Sequence, residues 1–305
     1  MLSSKFGIEI EFTGITRSKA ADVVSNYLGG EVSLAGDYYD THIIKAPDGR
    51  TWKVMFDSSI TRRHRINGTN ISCSSLYACE LVSPILTYRE DIGALQDIVR
   101  RLRKAGGLTN NSCGIHIHLD GSPHTPRSIR NFINLIASRN DLFYKALQIE
   151  DERMRYCKKM DAYLVERMNQ KKPRTFAQLE EIWYAGYGGN RNGHYHDSRY
   201  HFLNLHCFFH GNHTIELRGF NSALHAGKVR ASAGSMFPTK PIQTLFTGHI
   251  GATAESAISA DSYLHLFGIR VMNTLASRTI TSVQVKRRQK HVVRRHYRHT
   301  ERCHG

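Results

Sequence analysis

The chain has 305 residues, 40% hydrophobic and 22% charged, a composition that folds as one large domain or two small ones and excludes an intrinsically disordered protein. No stretch approaches the roughly 20 apolar residues of a membrane span, and the start MLSSKFGIEIEF has no signal-peptide core, so a cytoplasmic protein without a membrane span is expected. Net charge is +16, of which Lys286 to the end contributes +7 through eight Lys or Arg against one Glu.

Residues 6–12 alternate and predict a strand, and residues 17–28 predict a short helix stopped by Gly29 and Gly30. Residues 52–57 (WKVMFD) and 78–83 (ACELVS) read as strands. Ile92, Leu95, Ile98, Val99 and Leu102 recur at helical spacing within 88–105, before Gly106 and Gly107. Residues 113–119 alternate again. Pro126 opens a helical stretch to about 150, and a second helical region covers about 158–184. Residues 186–198 form a glycine- and histidine-rich loop. Strands at 200–209 and 213–219 follow, joined by a His210-Gly211-Asn212 hairpin turn. From 222 to about 277 the pattern is mainly helical.

Strands and helices mix without a βαβ rhythm, so the expected class is α+β with a largely antiparallel sheet. One domain over 1–280, with a helical insertion at about 126–184, precedes a basic tail at 281–305. Runs of like charge repel, which predicts a solvated, disordered tail dispensable for catalysis; contact with nucleic acid or another polyanion is its alternative use. The six cysteines, at 73, 79, 113, 157, 207 and 303, include no CxxC pair, so free thiols are expected and no cysteine zinc site is indicated. Cys79 and Cys113 read as small apolar fillers.

Three strands carry paired ionisable residues on one face. In FGIEIEF, Glu9 and Glu11 lie opposite the apolar set Phe6, Ile8, Ile10 and Phe12, about 7 Å apart along the strand. Such carboxylates repel unless a cation neutralises them or water screens them. In CGIHIHLDGS, His116 and His118 share the polar face and suit a divalent metal or a phosphate. In HTIELRGFNS, Thr214, Glu216 and Arg218 share it; Glu216 and Arg218 make either a salt bridge or a metal ligand beside a phosphate-binding guanidinium. If these strands lie in one sheet their polar faces converge, and an oxygen-rich set of this kind suits Mg²⁺ or Mn²⁺.

The order Phe6 to Phe12, Trp52 to Ser59, Glu80-Leu81-Val82-Ser83-Pro84, Cys113 to His118, Arg199-Tyr200 with Leu203-Asn204, and Thr214 to Arg218 resembles the motifs of the amidoligase family, related to glutamine synthetase and glutamate–cysteine ligase. The resemblance covers roughly residues 5–235. It implies a curved, largely antiparallel sheet packed with helices, as in a glutamine synthetase catalytic domain, with the active site on one face. It also implies an ATP-dependent carboxylate–amine ligase using Mg²⁺ (or Mn²⁺), an acyl phosphate and an attacking amine. Glu9, Glu11, Glu80, His116 and Glu216 would be metal ligands. His118 would lie near nucleotide or substrate, and Arg218 would contact the transferred phosphate. Asp57 and Ser59 match a DGS-like turn whose middle residue is here Ser58, which bears on turn geometry more than chemistry. Arg199 and Asn204 are further candidates for substrate or phosphate contacts.

No P-loop pattern is present, and Gly186-Tyr187-Gly188-Gly189 lacks the following Lys-Ser/Thr. Two other readings stay open at this level. One is a metal-dependent hydrolase or cupin-like enzyme built on His116 and His118 without ATP. The other is a non-catalytic polyanion-binding protein using the tail. Peptide, amino acid, polyamine and cell-wall fragments all remain open as substrates, and nothing in the sequence fixes an oligomeric state or a general base.

Overall fold

A computed structural model describes residues 5–235. The expected helices beyond 235, the boundary at 280 and the basic tail lie outside the described residues. The opening strand β1 (Lys5–Phe12) leads to helix α1 (Arg17–Leu28). Thr16 caps its start by accepting from the Lys19 backbone N–H, and Gly29, in the left-handed region at φ 68°, ends it. Three strands follow, β2 (Glu31–Leu34), β3 (His42–Lys45) and β4 (Thr51–Met55). A separate hairpin, β5 (Arg63–Ile66) with β6 (Thr69–Ser72), turns at Asn67-Gly68, both at positive φ as a type I′ turn requires.

The chain re-enters the main sheet as β7 (Cys79–Val82) and β8 (Leu86–Thr87), and helix α2 (Tyr88–Lys104) follows directly. Glu90 and Asp91 occupy the first turn of α2 and Arg101, Arg103 and Lys104 the last, each matching the helix dipole. Its buried stripe, Ile92, Leu95, Ile98, Val99 and Leu102, belongs to one core with Phe6, Ile8, Ile10 and Phe12 of β1. Each such side chain removed from water contributes about 1.5–3 kcal/mol, which fixes the register of β1 and turns its odd-numbered residues to the other face.

After β9 (Gly114–Asp120) come helices α3 (Pro126–Ser138), α4 (Asn140–Leu147), α5 (Ala162–Lys171) and α6 (Phe176–Tyr184), then β10 (Leu203–Asn204), α7 (His206–His210), β11 (Thr214–Asn221) and α8 (Ala226–Ser235). The main sheet runs β10-β11-β9-β1-β7-β4-β3-β2, with β8 also on β1, and every pairing is antiparallel. The expected α+β class with an antiparallel sheet is therefore observed.

Several expectations need correcting. The 126–150 stretch is two helices that meet at Arg139, and the 158–184 region breaks at Lys172, where the chain adopts φ 44° just before Pro173. The expected strand 200–209 is only Leu203–Asn204. The apolar run LHCFF continues as the short helix α7, so His210-Gly211-Asn212 links a helix to β11 and is not a hairpin turn. Asn204 still pairs with Glu216 across β10–β11.

Candidate active site

Antiparallel register puts residues directly opposite one another on the same face. Here Glu9 of β1 faces His116 of β9, Glu11 faces Glu80 of β7, and Glu216 of β11 faces both His118 of β9 and Asn204 of β10. Four neighbouring strands thus gather the predicted ligands on the sheet face opposite the α2 core. The ligand atoms of Glu9, His116 and Glu216 lie within 4.8 Å of one another, as do those of Glu11, Glu80 and His116. All five sequence-predicted metal ligands belong to these two overlapping sets, with His116 common to both.

His116 sits at the junction. Its Nδ1 is 2.9 Å from Glu9 Oε2 and 3.5 Å from Glu216 Oε1, and its Nε2 is 3.3 Å from Glu11 Oε1. His118 Nδ1 bonds Thr214 Oγ1 at 3.0 Å. Its Nε2 is 3.1 Å from Glu9 Oε1 but outside hydrogen-bond geometry, so that buried nitrogen has no hydrogen-bond partner. Arg218 Nη1 donates to Glu216 Oε1 at 2.5 Å, and Asn204 Nδ2 donates to Glu216 Oε2 at 2.6 Å.

The ionisations of these groups diverge. Burial lifts the Glu80 carboxyl well above its ordinary range, with the charges of Glu9, Asp57 and Glu11 adding to the effect. Burial and Asp57 also raise Glu11. Burial opposes ionisation of Glu9 too, but the charge of His118, 3.1 Å away, and the hydrogen bond with His116 hold it well below the usual value. Glu216, equally buried, is held at about 2 by the Arg218 guanidinium and the two histidines. His118 is pushed up to about 9 by Glu9 against the effect of burial.

The local backbone explains how Arg218 reaches this group. Between Leu217 and Phe220 strand β11 gains one residue against β9, a bulge occupied by Arg218 and Gly219. Bulges re-aim side chains at the cost of a ladder bond. A Cβ at Gly219 would fall 2.0 Å from the Phe202 ring, so only glycine fits there. The displaced carbonyls are held by Arg153, a buried side chain that donates to Phe220 O and, at 2.7 Å, to Arg218 O. Arg153 lies in an ordinary-looking DER turn, and nothing in the sequence marks it.

The remaining candidates lie around the rim. Asp57 and Ser59 form a tight turn in which the Ser59 backbone N–H donates to Asp57 Oδ1 at 2.6 Å. Arg199 contacts its own loop, donating to His194 O at 2.6 Å and stacking over Tyr195 and Tyr200; the structure does not bring it into the carboxylate set. The same loop reaches across to the β2–β3 connection, where Tyr195 and Tyr39 hydroxyls are 2.8 Å apart. Cys207, on α7, stands 3.5 Å from Glu216 Oε2; sequence spacing gave no hint of it.

A hard divalent cation fits this donor set. Carboxylate oxygens dominate it, and no donor among the described residues hydrogen-bonds the Glu80 carboxyl, which leaves that group open to a cation. No helix among the described residues is long and apolar enough to cross a membrane. No curated protein matches the chain. The sequence model of the family described as “Putative amidoligase enzyme” matches residues 2–234, well over half of the 305 residues, and the chain belongs to that amidoligase family.

Proposed function

We propose that this chain is an ATP-dependent carboxylate–amine ligase with a glutamine synthetase-like catalytic site. The observation that carries the reading is the register-aligned set Glu9, Glu11, Glu80, His116 and Glu216 on one sheet face, with Arg218 at its edge. When bound, Mg²⁺ or Mn²⁺ would neutralise phosphate oxygens, and ATP would supply the phosphoryl group that turns an unreactive carboxylate into an acyl phosphate open to an amine.

The chain's own residues do the rest. Glu9, His116 and Glu216 would hold one cation, and Glu11, Glu80 and His116 offer a second set on the β7 side. Arg218 presents fixed, planar donors to phosphate oxygens, and its pairing with Glu216 keeps the guanidinium in place before substrate arrives. Arg153 keeps the bulge that aims it. Asp57, Ser59 and Arg199 remain proposed substrate or nucleotide contacts, while Asn204, buried and donating to Glu216 Oε2, would act by orienting that carboxylate. The Tyr195–Tyr39 contact ties the loop that carries Arg199 to the β2–β3 connection. A hydrolase built on His116 and His118 alone would leave Glu11, Glu80 and Arg218 without a joint role.

The test is an ADP-release screen with Mg²⁺ across pools of carboxylates and amines, followed by mass spectrometry of the active pool. The expected result is ADP release only when acid and amine are both present, with a product lighter than their sum by one water. ADP release independent of both, or metal-dependent hydrolysis without ATP, would overturn the reading.

A further inference from the structure

One further donor set shares Glu216 but differs in chemistry. A ring nitrogen of His118, the sulfur of Cys207 and a carboxylate oxygen of Glu216 lie within 4.8 Å of one another. Sulfur is a poor ligand for Mg²⁺ and a good one for zinc and its neighbours in the first transition row. The set is built from three elements. His118 comes from β9, Glu216 from β11, and Cys207 from the first turn of α7, the helix that replaces the expected strand.

Two geometric details match a tetrahedral site. With Zn–S near 2.3 Å and Zn–O near 2.0 Å, tetrahedral angles place sulfur and oxygen about 3.5 Å apart, and Cys207 Sγ lies 3.5 Å from Glu216 Oε2. A ligating histidine normally engages its other ring nitrogen with an oxygen that fixes the ring. His118 Nδ1 is engaged in this way by Thr214 Oγ1 at 3.0 Å, while Nε2 is buried, with Glu9 Oε1 3.1 Å away but outside hydrogen-bond geometry.

We infer that His118, Cys207 and Glu216 form a second metal site, selective for Zn²⁺ or a similar transition-metal dication over Mg²⁺, with its fourth position open. Binding replaces the Cys207 S–H bond with an S–metal bond and releases that proton to solvent, with no change in oxidation state. Because Glu216 belongs to both sets, a zinc ion here competes with the oxygen-rich centre for the same carboxylate and loosens its pairing with Arg218. The site itself stands apart from the ligase reading, since binding can be measured with no turnover.

The experiment titrates the full chain with Co²⁺ as a spectroscopic substitute for Zn²⁺, then displaces it with Zn²⁺. Wild type is expected to show a near-ultraviolet thiolate-to-cobalt charge-transfer band that Zn²⁺ removes and excess Mg²⁺ does not. Cys207→Ser, close in size, should abolish the band, and Cys303→Ser should keep it, which separates this site from the histidine-rich tail. Thr214→Val should weaken Zn²⁺ binding roughly 10–100-fold. Absence of the band in wild type at saturating Co²⁺ would overturn the proposal whatever the variants do, as would a band that survives in Cys207→Ser or Cys207→Ala. Loss of ligase activity in the Mg²⁺ screen with this band intact would count against the ligase reading alone.

Discussion

The two ends of the polar sheet face handle buried charge differently. At the β9–β11 end, Glu216 has a guanidinium at 2.5 Å and an amide at 2.6 Å, and His118 faces it across the strands. Its charge is neutralised from within the chain. At the β1–β7 end, Glu11 and Glu80 face each other in register. Glu11 has the Gly114 backbone N–H at 2.6 Å, and no donor among the described residues hydrogen-bonds Glu80. That end reaches neutrality by retaining protons or by taking a cation from outside, because burial disfavours an unpaired carboxylate. A face that is rigidly paired at one end and cation-seeking at the other can hold Arg218 in position while leaving the Glu80 carboxyl open to a cation.

The largest expected effect breaks the paired end. Glu216→Ala strands the Arg218 guanidinium in the interior, which should cost about 3–5 kcal/mol in a denaturant titration. Arg218→Lys keeps a positive charge and should leave the fold near wild type. It loses the paired donors, so turnover in the ADP-release assay should fall about a hundredfold, the equivalent of roughly 3 kcal/mol. A lowered midpoint with turnover unchanged would reduce Arg218 to a structural salt bridge. Glu80→Gln probes the other end. Burial already disfavours the charged form of Glu80, so a neutral amide there should change stability in chelator by no more than the worth of one hydrogen bond, about 1 kcal/mol, while Mn²⁺ affinity falls.

The smallest effect, and the sharpest on the comparison, is the opposite pH dependence of the two ends in chelator. Glu216 is depressed to about 2 in the fold. Its contribution is full above the unfolded value near 4.5 and is lost as pH falls through about 2, so the deficit of Glu216→Gln should shrink towards acid. Glu80 is raised in the fold. The folded state then holds a proton that the unfolded state releases above about 4.5, so wild-type stability falls as pH rises from there and Glu80→Gln should gain on wild type. Parallel pH curves for the two variants would remove the distinction between the ends.

Most of this face was legible because alternation is a strong signal. Ile8 and Ile10 could not be buried without turning Glu9 and Glu11 to the other face, and the same holds for Ile115, Ile117 and His116, His118. What alternation does not give is strand order, and the cluster exists only because β7, β1, β9 and β11 are neighbours. The short strands β2 and β6 escaped notice because each is only four residues long and exposed throughout, so even the Val32 and Leu34 alternation marks no buried face. The β5–β6 hairpin had a readable signal, Asn67-Gly68, that the hydrophobic pattern around it did not draw attention to. Cys207 was hidden because 200–209 is apolar enough to suit a strand, and only the turn into α7 brings its sulfur to Glu216. Arg153 was hidden because its role depends on a bulge carbonyl 65 residues away.

The central claim is that the four carboxylates and His116 are a divalent-cation centre for nucleotide-dependent ligation. Anomalous scattering from crystals grown with Mn²⁺ and a hydrolysis-resistant ATP analogue tests it most directly. The account predicts manganese peaks bounded by Glu9, His116 and Glu216 and by Glu11, Glu80 and His116, at about 2.1–2.2 Å from carboxylate oxygens, with triphosphate density on the Arg218 side. Clear analogue density elsewhere, or no manganese between these side chains at saturating Mn²⁺, would contradict it.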